Sequence, residues 1–129
     1  DAFYAELAKE PEGGSTDTMA DNTVFMTWGD TPHNPCQGQG WPDATPKDSN
    51  WLYVMDPKEH IKGGWFGQVH ADQNVSGFDP VTGTEAMNIA STATSAAAGA
   101  AAAYCVAKGD WNTVAEHYVG PKIEAMLKS

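Results

Sequence analysis

The stretch "NIASTATSAAAGAAAAYCVA", from Asn88 to Ala107, decides the kind of fold that this sequence can form. It belongs to a run over residues 86–107 that contains no charged side chain. Of these 22 residues, 11 are alanine, the residue type with the highest helix propensity. The composition therefore predicts one long helix, around which the rest of the chain is arranged.

Both ends of this run carry signals for a helix boundary. Thr82 and Glu85 have the spacing of a capping box, and Thr84 is a competing N-cap. At the other end, Lys108-Gly109 supplies a cation for the last turn and a glycine to stop the helix. These signals predict a helix over residues 86–107.

Small residues recur on one stripe of the predicted helix, at every fourth position. They are Ser91, Ser95, Gly99 and Ala103. Because small side chains let another backbone approach closely, such a stripe is typical of a helix that packs against a partner helix. We predict that it is a helix-packing surface.

Two interpretations of the helix stay open at this point. At about 1.5 Å per residue, residues 86–107 are long enough to cross a bilayer, with the acidic part of the chain on the translocated side. However, the run offers mainly methyl groups, and Asn88 with several Ser and Thr residues resists insertion. The alternative is a soluble helix at the centre of a small domain.

The rest of the chain predicts an α+β fold that is mostly irregular. Residues 1–10 form an amphipathic pattern typical of a short helix, and a short C-terminal helix begins after Asp110. Runs rich in aromatic and β-branched residues predict a few short strands, at residues 22–28, 51–55 and 65–70. Residues 29–50 are rich in Pro, Gly and Asp, which predicts a long loop.

Charge divides the chain into an acidic head, residues 1–85, and a helical part, residues 86–129, which we expect to form one structural unit. The whole chain has 17 acidic and seven basic residues, a net charge of −10, and every basic residue is Lys. Residues 1–85 carry the whole net charge of −10, with 14 acids against four lysines. Such an acidic chain without Arg is not expected to bind nucleic acid.

No motif for catalysis, metal binding or a cofactor stands out. His33 lies three residues before Cys36, but this spacing matches no specific ligand pattern. Nucleotide-binding, haem-attachment and calcium-loop signatures are all missing from the sequence. We therefore predict a chain that is not an enzyme, with no catalytic and no metal residues, and the sequence identifies no cofactor.

The two cysteines, Cys36 and Cys105, form a disulfide candidate. In an oxidising compartment a bridge between them pins the long loop to the helix. The bridge conflicts with a membrane span, since Cys105 lies at the end of the helix opposite the acidic head. The alternative is two buried free thiols.

Aromatic residues in the irregular part are candidates for surface contacts. Most of the five tryptophans are expected in the core, while Trp41, Trp65 and Phe66 are candidate interface anchors. The alternative is that the aromatic loops form a platform for a glycan or small ligand.

The acidic N-terminal part, the long irregular loop and the weakly hydrophobic helix together look like small accessory subunits of energy-converting membrane complexes. Photosynthetic complexes of the thylakoid, such as a photosystem, and respiratory complexes are examples. The similarity is one of composition and organisation and assigns no role to any residue. It implies a non-catalytic subunit whose partners are other protein subunits, with an acidic surface on the extracytoplasmic or lumenal side and membrane association. The alternative is a secreted or periplasmic protein that uses aromatic loops for a glycan or small ligand.

Overall fold

The computed structural model of the chain describes residues 2–28, 52–71, 75–89 and 91–128. In these residues short helices and short antiparallel strands are joined by irregular segments, so the predicted α+β class is confirmed. The elements are α1 (Ala2–Leu7), a 3-10 helix (Met19–Asn22), β1 (Phe25–Trp28), β2 (Leu52–Met55), β3 (Gln68–Val69), β4 (Val75–Phe78), β5 (Glu85–Ala86), α2 (Ser91–Val106) and α3 (Trp111–Ala115).

The first strands form a two-stranded antiparallel sheet, in which Phe25 pairs with Met55 and Trp28 pairs with Leu52. Helix α1 is fastened to one end of this sheet by Tyr4. Its hydroxyl donates to the carbonyl oxygen of Thr23 at 2.9 Å and lies 3.4 Å from that of Met55. The first two predicted strands and the N-terminal helix are thus confirmed, each with shorter bounds.

Asp21 closes the segment that connects α1 to β1. Its carboxylate accepts the backbone N–H of Thr18 at 2.8 Å and the Thr18 hydroxyl at 3.0 Å, and Lys58 Nζ lies 3.0 Å from it. These donors lower the pKa of the Asp21 carboxyl to about 2, the backbone N–H of Thr18 having the largest effect. The ionised carboxylate therefore holds this segment against β2 through Lys58.

This arrangement predicts a specific acid sensitivity. The pKa of Asp21 is lower in the folded chain than in the unfolded chain, so its contribution to stability is present above about pH 4 and is lost as the pH falls toward 2. We expect the urea midpoint of the Asp21→Asn variant to fall less steeply than that of the wild type across this interval. Parallel slopes for the two proteins would contradict the assignment.

A second sheet contains β3, β4 and β5 in that order, all antiparallel. Its last strand corrects the predicted start of the long helix. Gly77 pairs with Ala86 and Phe78 pairs with Glu85, so Glu85 belongs to a strand and is not a capping residue. The proposed capping box with Thr82 is therefore wrong, because Thr82 lies in a turn whose N–H groups are bound by the Asp79 carboxylate. Pairing with β4 outweighs the local helix propensity.

Helix α2 has 16 residues, Ser91–Val106, and is shorter than the predicted span of residues 86–107. In the described part of the chain, no helix combines the length and the apolar character needed to cross a membrane. One side of α2 is buried and consists mainly of alanine. These alanines meet side chains from other parts of the chain in one core, whose buried residues are Phe78, Ala97, Ala100, Ala101, Val114, Ile123, Met126 and Leu127.

The end of α2 confirms the predicted stop at Lys108-Gly109. The N–H of Gly109 donates to the Tyr104 carbonyl and the N–H of Lys108 donates to the Cys105 carbonyl, which is a Schellman arrangement. Both residues have positive φ, 53° for Lys108 and 85° for Gly109. Asp110 then caps α3, as predicted, by accepting the N–H of Asn112 at 2.9 Å.

The predicted C-terminal helix is shorter than expected and ends at Ala115. The following segment turns back to the middle of the chain, where Leu127 pairs with Ile61 and the N–H of Lys62 donates to the Met126 carbonyl. This return brings Ile123 into the core with no exposed surface. Residues on both sides of the predicted boundary between 85 and 86 therefore share one core.

Candidate interaction surface

Three exposed aromatic rings lie together on the first sheet and α1, and we call them the aromatic face: Phe3, Phe25 and Tyr53. Thr27 pairs with Tyr53, which places Tyr53 and Phe25 on the same side of the sheet. The ring of Phe3 lies 6.2 Å from that of Phe25, so α1 adds its own aromatic side chain to this side. The three side chains are 55%, 39% and 51% exposed, respectively.

The opposite side of the same sheet is also apolar and exposed. Met26 and Trp28 alternate with the residues of the aromatic face and are both exposed. A two-stranded sheet gains little stability in water unless a hydrophobic side is covered. Large exposed apolar patches are uncommon on monomeric proteins and mark interaction sites when they occur.

The segment that carries Phe3 and Phe25 is acidic. Residues 2–28 contain five acidic residues and one lysine, a net charge of −4. The lysine, Lys9, pairs with Glu6 at 2.6 Å, and Lys58 from a later segment approaches Asp17 and Asp21. Glu10 and Glu12 have no ion pair among the described residues. Two of the three exposed rings therefore belong to a segment with an excess of negative charge.

The sequence did not identify the aromatic face as a unit. Phe3, Phe25 and Tyr53 come from three separate elements, and only the pairing register of β1 with β2 brings the two strand residues to one side. The amphipathic pattern of the N-terminal segment and the aromatic strands were recognised separately. The signal was therefore present in each element, but the combination depended on a pairing between distant residues.

The predicted helix-packing stripe lies largely on the outward side of α2. Ser95 and Ala103 are exposed, and Gly99 is half-buried. A Cβ placed on Gly99 meets no atom within 4 Å, so nothing in the described chain occupies the space above it. The fourth residue, Ser91, begins α2, but its side chain is outside the described set. The described residues of the stripe are therefore not buried in the core.

The three predicted interface anchors have different surroundings. Trp65 is 70% exposed. Phe66 is half-buried and its ring lies 5.3 Å from that of Phe78, so it is held against the core. Trp41 lies outside the described residues. Of the two anchors that the structure describes, Trp65 is the more exposed.

A polar cluster lies beneath the surface, where the turn after β2 meets α2. The Asp56 side chain is 2% exposed. It accepts the backbone N–H groups of His60 at 2.6 Å and Lys58 at 3.1 Å, and His60 Nδ1 lies 2.8 Å away. Burial pushes the pKa of Asp56 upward, but these donors outweigh it, and the pKa lies below its ordinary value. The buried thiol of Cys105 lies near enough for this carboxylate to raise its pKa.

This cluster does not form a nucleophile–base pair. A reactive cysteine requires a lowered thiol pKa, usually with a histidine beside it. Here burial, and then the negative charge of Asp56, raise the pKa of the Cys105 thiol to about 12. The Asp56 carboxylate binds the His60 imidazole and its charge disfavours the thiolate form of Cys105, so the arrangement suits a structural hydrogen-bond centre.

The structure describes only one of the two cysteines of the disulfide candidate. Cys105 is buried and carries a free thiol. Cys36 lies outside the described residues, as does His33. The bridge between Cys36 and Cys105 stays a prediction.

A second polar cluster lies on the three-stranded sheet. Glu85 accepts the Ser76 hydroxyl, and His70 Nε2 lies 2.8 Å from the Glu85 carboxylate. The carboxylate occupies the middle position, whereas general-base activation of a serine needs the imidazole there. Within the described ranges, no group of three or more His, Cys, Asp or Glu side chains could hold a metal ion.

The comparisons with known proteins identified no relative of this chain. No family model matches the chain, and no curated protein and no solved structure matches it.

Proposed function

We propose that this chain is a non-catalytic accessory subunit that binds other protein subunits of a larger complex. The observation that carries the proposal is the two-stranded sheet, which exposes Phe25 and Tyr53 on one side and Met26 and Trp28 on the other. These four side chains lie outside the buried core. Covering their exposed surface with a partner removes apolar area from water, which stabilises the bound state.

The outward stripe of α2 supports the same proposal. Ser95, Gly99 and Ala103 leave a shallow surface on which a second helix can approach closely. A subunit with these two surfaces can contact neighbours through the sheet and through α2. We propose energy-converting membrane complexes as the class to test, with the acidic surface of the chain on the extracytoplasmic or lumenal side.

The test is the size at which the chain elutes, under native conditions, from an extract of the cells that make it. We expect elution well above the 13.7 kDa of the single chain. Gly99→Leu, which fills the open space on α2, should shift a measurable share to the single-chain position, while the exposed Val119→Thr should not. Elution of the unmodified chain as a monomer would reject the proposal.

The second candidate is a binding protein for a glycan or small ligand, favoured by the exposed ring of Trp65. Stacking on such a ring changes its fluorescence. A titration with a glycan panel should therefore quench the wild type and leave Trp65→Ser unchanged if this candidate is correct. No quenching with any glycan would reject it.

A further inference from the structure

We infer that the aromatic face of Phe3, Phe25 and Tyr53 binds a protein segment in which apolar side chains are flanked by Lys or Arg. This inference rests on the proposed function, because it names the chemistry of a partner for a chain proposed to bind proteins. It goes beyond that proposal by selecting one surface and one class of segment.

The apolar part of the inference follows from the exposure of the rings. The ring of Phe3 is tilted against that of Phe25 with 6.2 Å between their centres, and Tyr4 holds α1 in place through the carbonyl oxygen of Thr23 at 2.9 Å. The rings are therefore pre-positioned, and a partner need not order them. Rigid aromatic side chains lose little conformational entropy on binding and are enriched where binding energy is concentrated.

The cationic part follows from the charge of the segment that carries Phe3 and Phe25. Residues 2–28 have a net charge of −4, and Glu10 and Glu12 in this segment have no lysine partner in the described part of the chain. A partner segment with Lys or Arg beside its apolar residues brings positive charge to this acidic part of the chain. Complementary charge of this kind accelerates association and excludes partners with the wrong sign.

The same charge argues against two other occupants. In a symmetric dimer through this face, two copies of the same acidic segment are brought together, each with a net charge of −3 when Lys58 is included, and the repulsion opposes association. An anionic membrane surface is repelled by the net charge of −10. A separate segment of opposite charge is the occupant that the electrostatics favour.

The experiment is a selection of random 12-residue peptides displayed on phage against the immobilised full chain. Selected peptides are then measured by fluorescence anisotropy with the wild type, with a Phe3→Gln/Tyr53→Thr double variant and with Val119→Thr. Gln and Thr keep the helix and strand propensities at the two exposed positions, so the fold is retained. Circular dichroism and urea unfolding verify this before binding is measured.

We expect the selected peptides to combine apolar residues with Lys or Arg. The double variant should weaken their binding at least tenfold and Val119→Thr should leave it unchanged. Raising the salt concentration from about 50 to about 500 mM should weaken binding to the wild type several-fold, because salt screens the attraction between the acidic chain and a basic peptide.

Three results would overturn the inference: no enriched peptide, enriched peptides without basic residues, or equal affinity for the double variant and the wild type. None of them decides the proposed function, which is tested by the native size of the chain in its own extract. A large complex together with failed peptide binding would leave the subunit proposal standing and reject this surface. A monomer in the extract together with peptide binding that depends on the aromatic face would reject the subunit proposal and retain this surface as a peptide-binding site.

Discussion

Asp56→Ala is expected to lower the free energy of unfolding by about 3 kcal/mol, because it removes the acceptor for several donors at once. The carboxylate is 2% exposed and binds the backbone N–H groups of His60 and Lys58 and the imidazole of His60, and both bonds to His60 are partly buried. Alanine leaves the His60 groups without an acceptor at a position with limited access for water. The measurement is urea unfolding followed by far-UV circular dichroism, with the slope of the transition compared between variants.

The chain contains a matched control for this substitution. Asp79 also precedes a proline and also accepts two backbone N–H groups, from Val81 at 2.8 Å and Thr82 at 2.9 Å, but these bonds are exposed to solvent. Water can replace the lost acceptor there, so Asp79→Ala should cost clearly less than Asp56→Ala. Asp56→Asn, which keeps an acceptor oxygen and loses the charge, should fall between the alanine variant and the wild type. Equal losses at Asp56 and Asp79 would contradict a buried centre.

Ile123→Ala should lower the free energy of unfolding by about 3–4 kcal/mol. Ile123 has no exposed surface and is the largest side chain in the described residues that is fully buried. Three of the seven other buried residues in its core are alanines of α2, which have no flexible side chain that could move into the space left behind. We therefore expect a cavity to remain on the α2 side, and its cost adds to the lost transfer energy of the removed carbon atoms.

A graded series tests the origin of this loss. Ile123→Val removes one methylene and should cost about 1 kcal/mol, while the fully exposed Val119→Ala should leave the urea midpoint unchanged. The three variants together relate stability to the volume removed at one buried site. A loss below about 1 kcal/mol for Ile123→Ala would mean that the segment after α3 does not complete the core.

The sequence was sufficient to predict elements whose signals are local. The strands at Phe25–Trp28 and Leu52–Met55 consist of aromatic, branched and long apolar residues, and Asp110 has the side chain and position of an N-cap. The start of α2 could not be predicted in this way. Residues 86–90 have the composition of the helix that follows, but Glu85 and Ala86 pair with Phe78 and Gly77, and this pairing is not visible in a local window.

The candidate site could be predicted only in part. The stripe of Ser95, Gly99 and Ala103 was identified from spacing, yet alanines surround the helix on every side, so the pattern gave no information about which side is buried. The aromatic face depends on the register that sets Tyr53 opposite Thr27 across the first sheet. Registers between segments far apart in sequence follow from packing that the chain establishes only when folded.

The alanine side chains of α2 have a thermodynamic consequence for recognition. Alanine and glycine have no side-chain rotamers, so neither folding nor binding removes rotational freedom from them. A partner that docks on Gly99 and Ala103 therefore meets a surface whose shape is fixed before contact, and only the partner's own side chains become ordered. Selectivity at Gly99 and Ala103 then depends on how closely the two backbones fit, since neither residue has a long side chain that could adjust to a poorly matched neighbour.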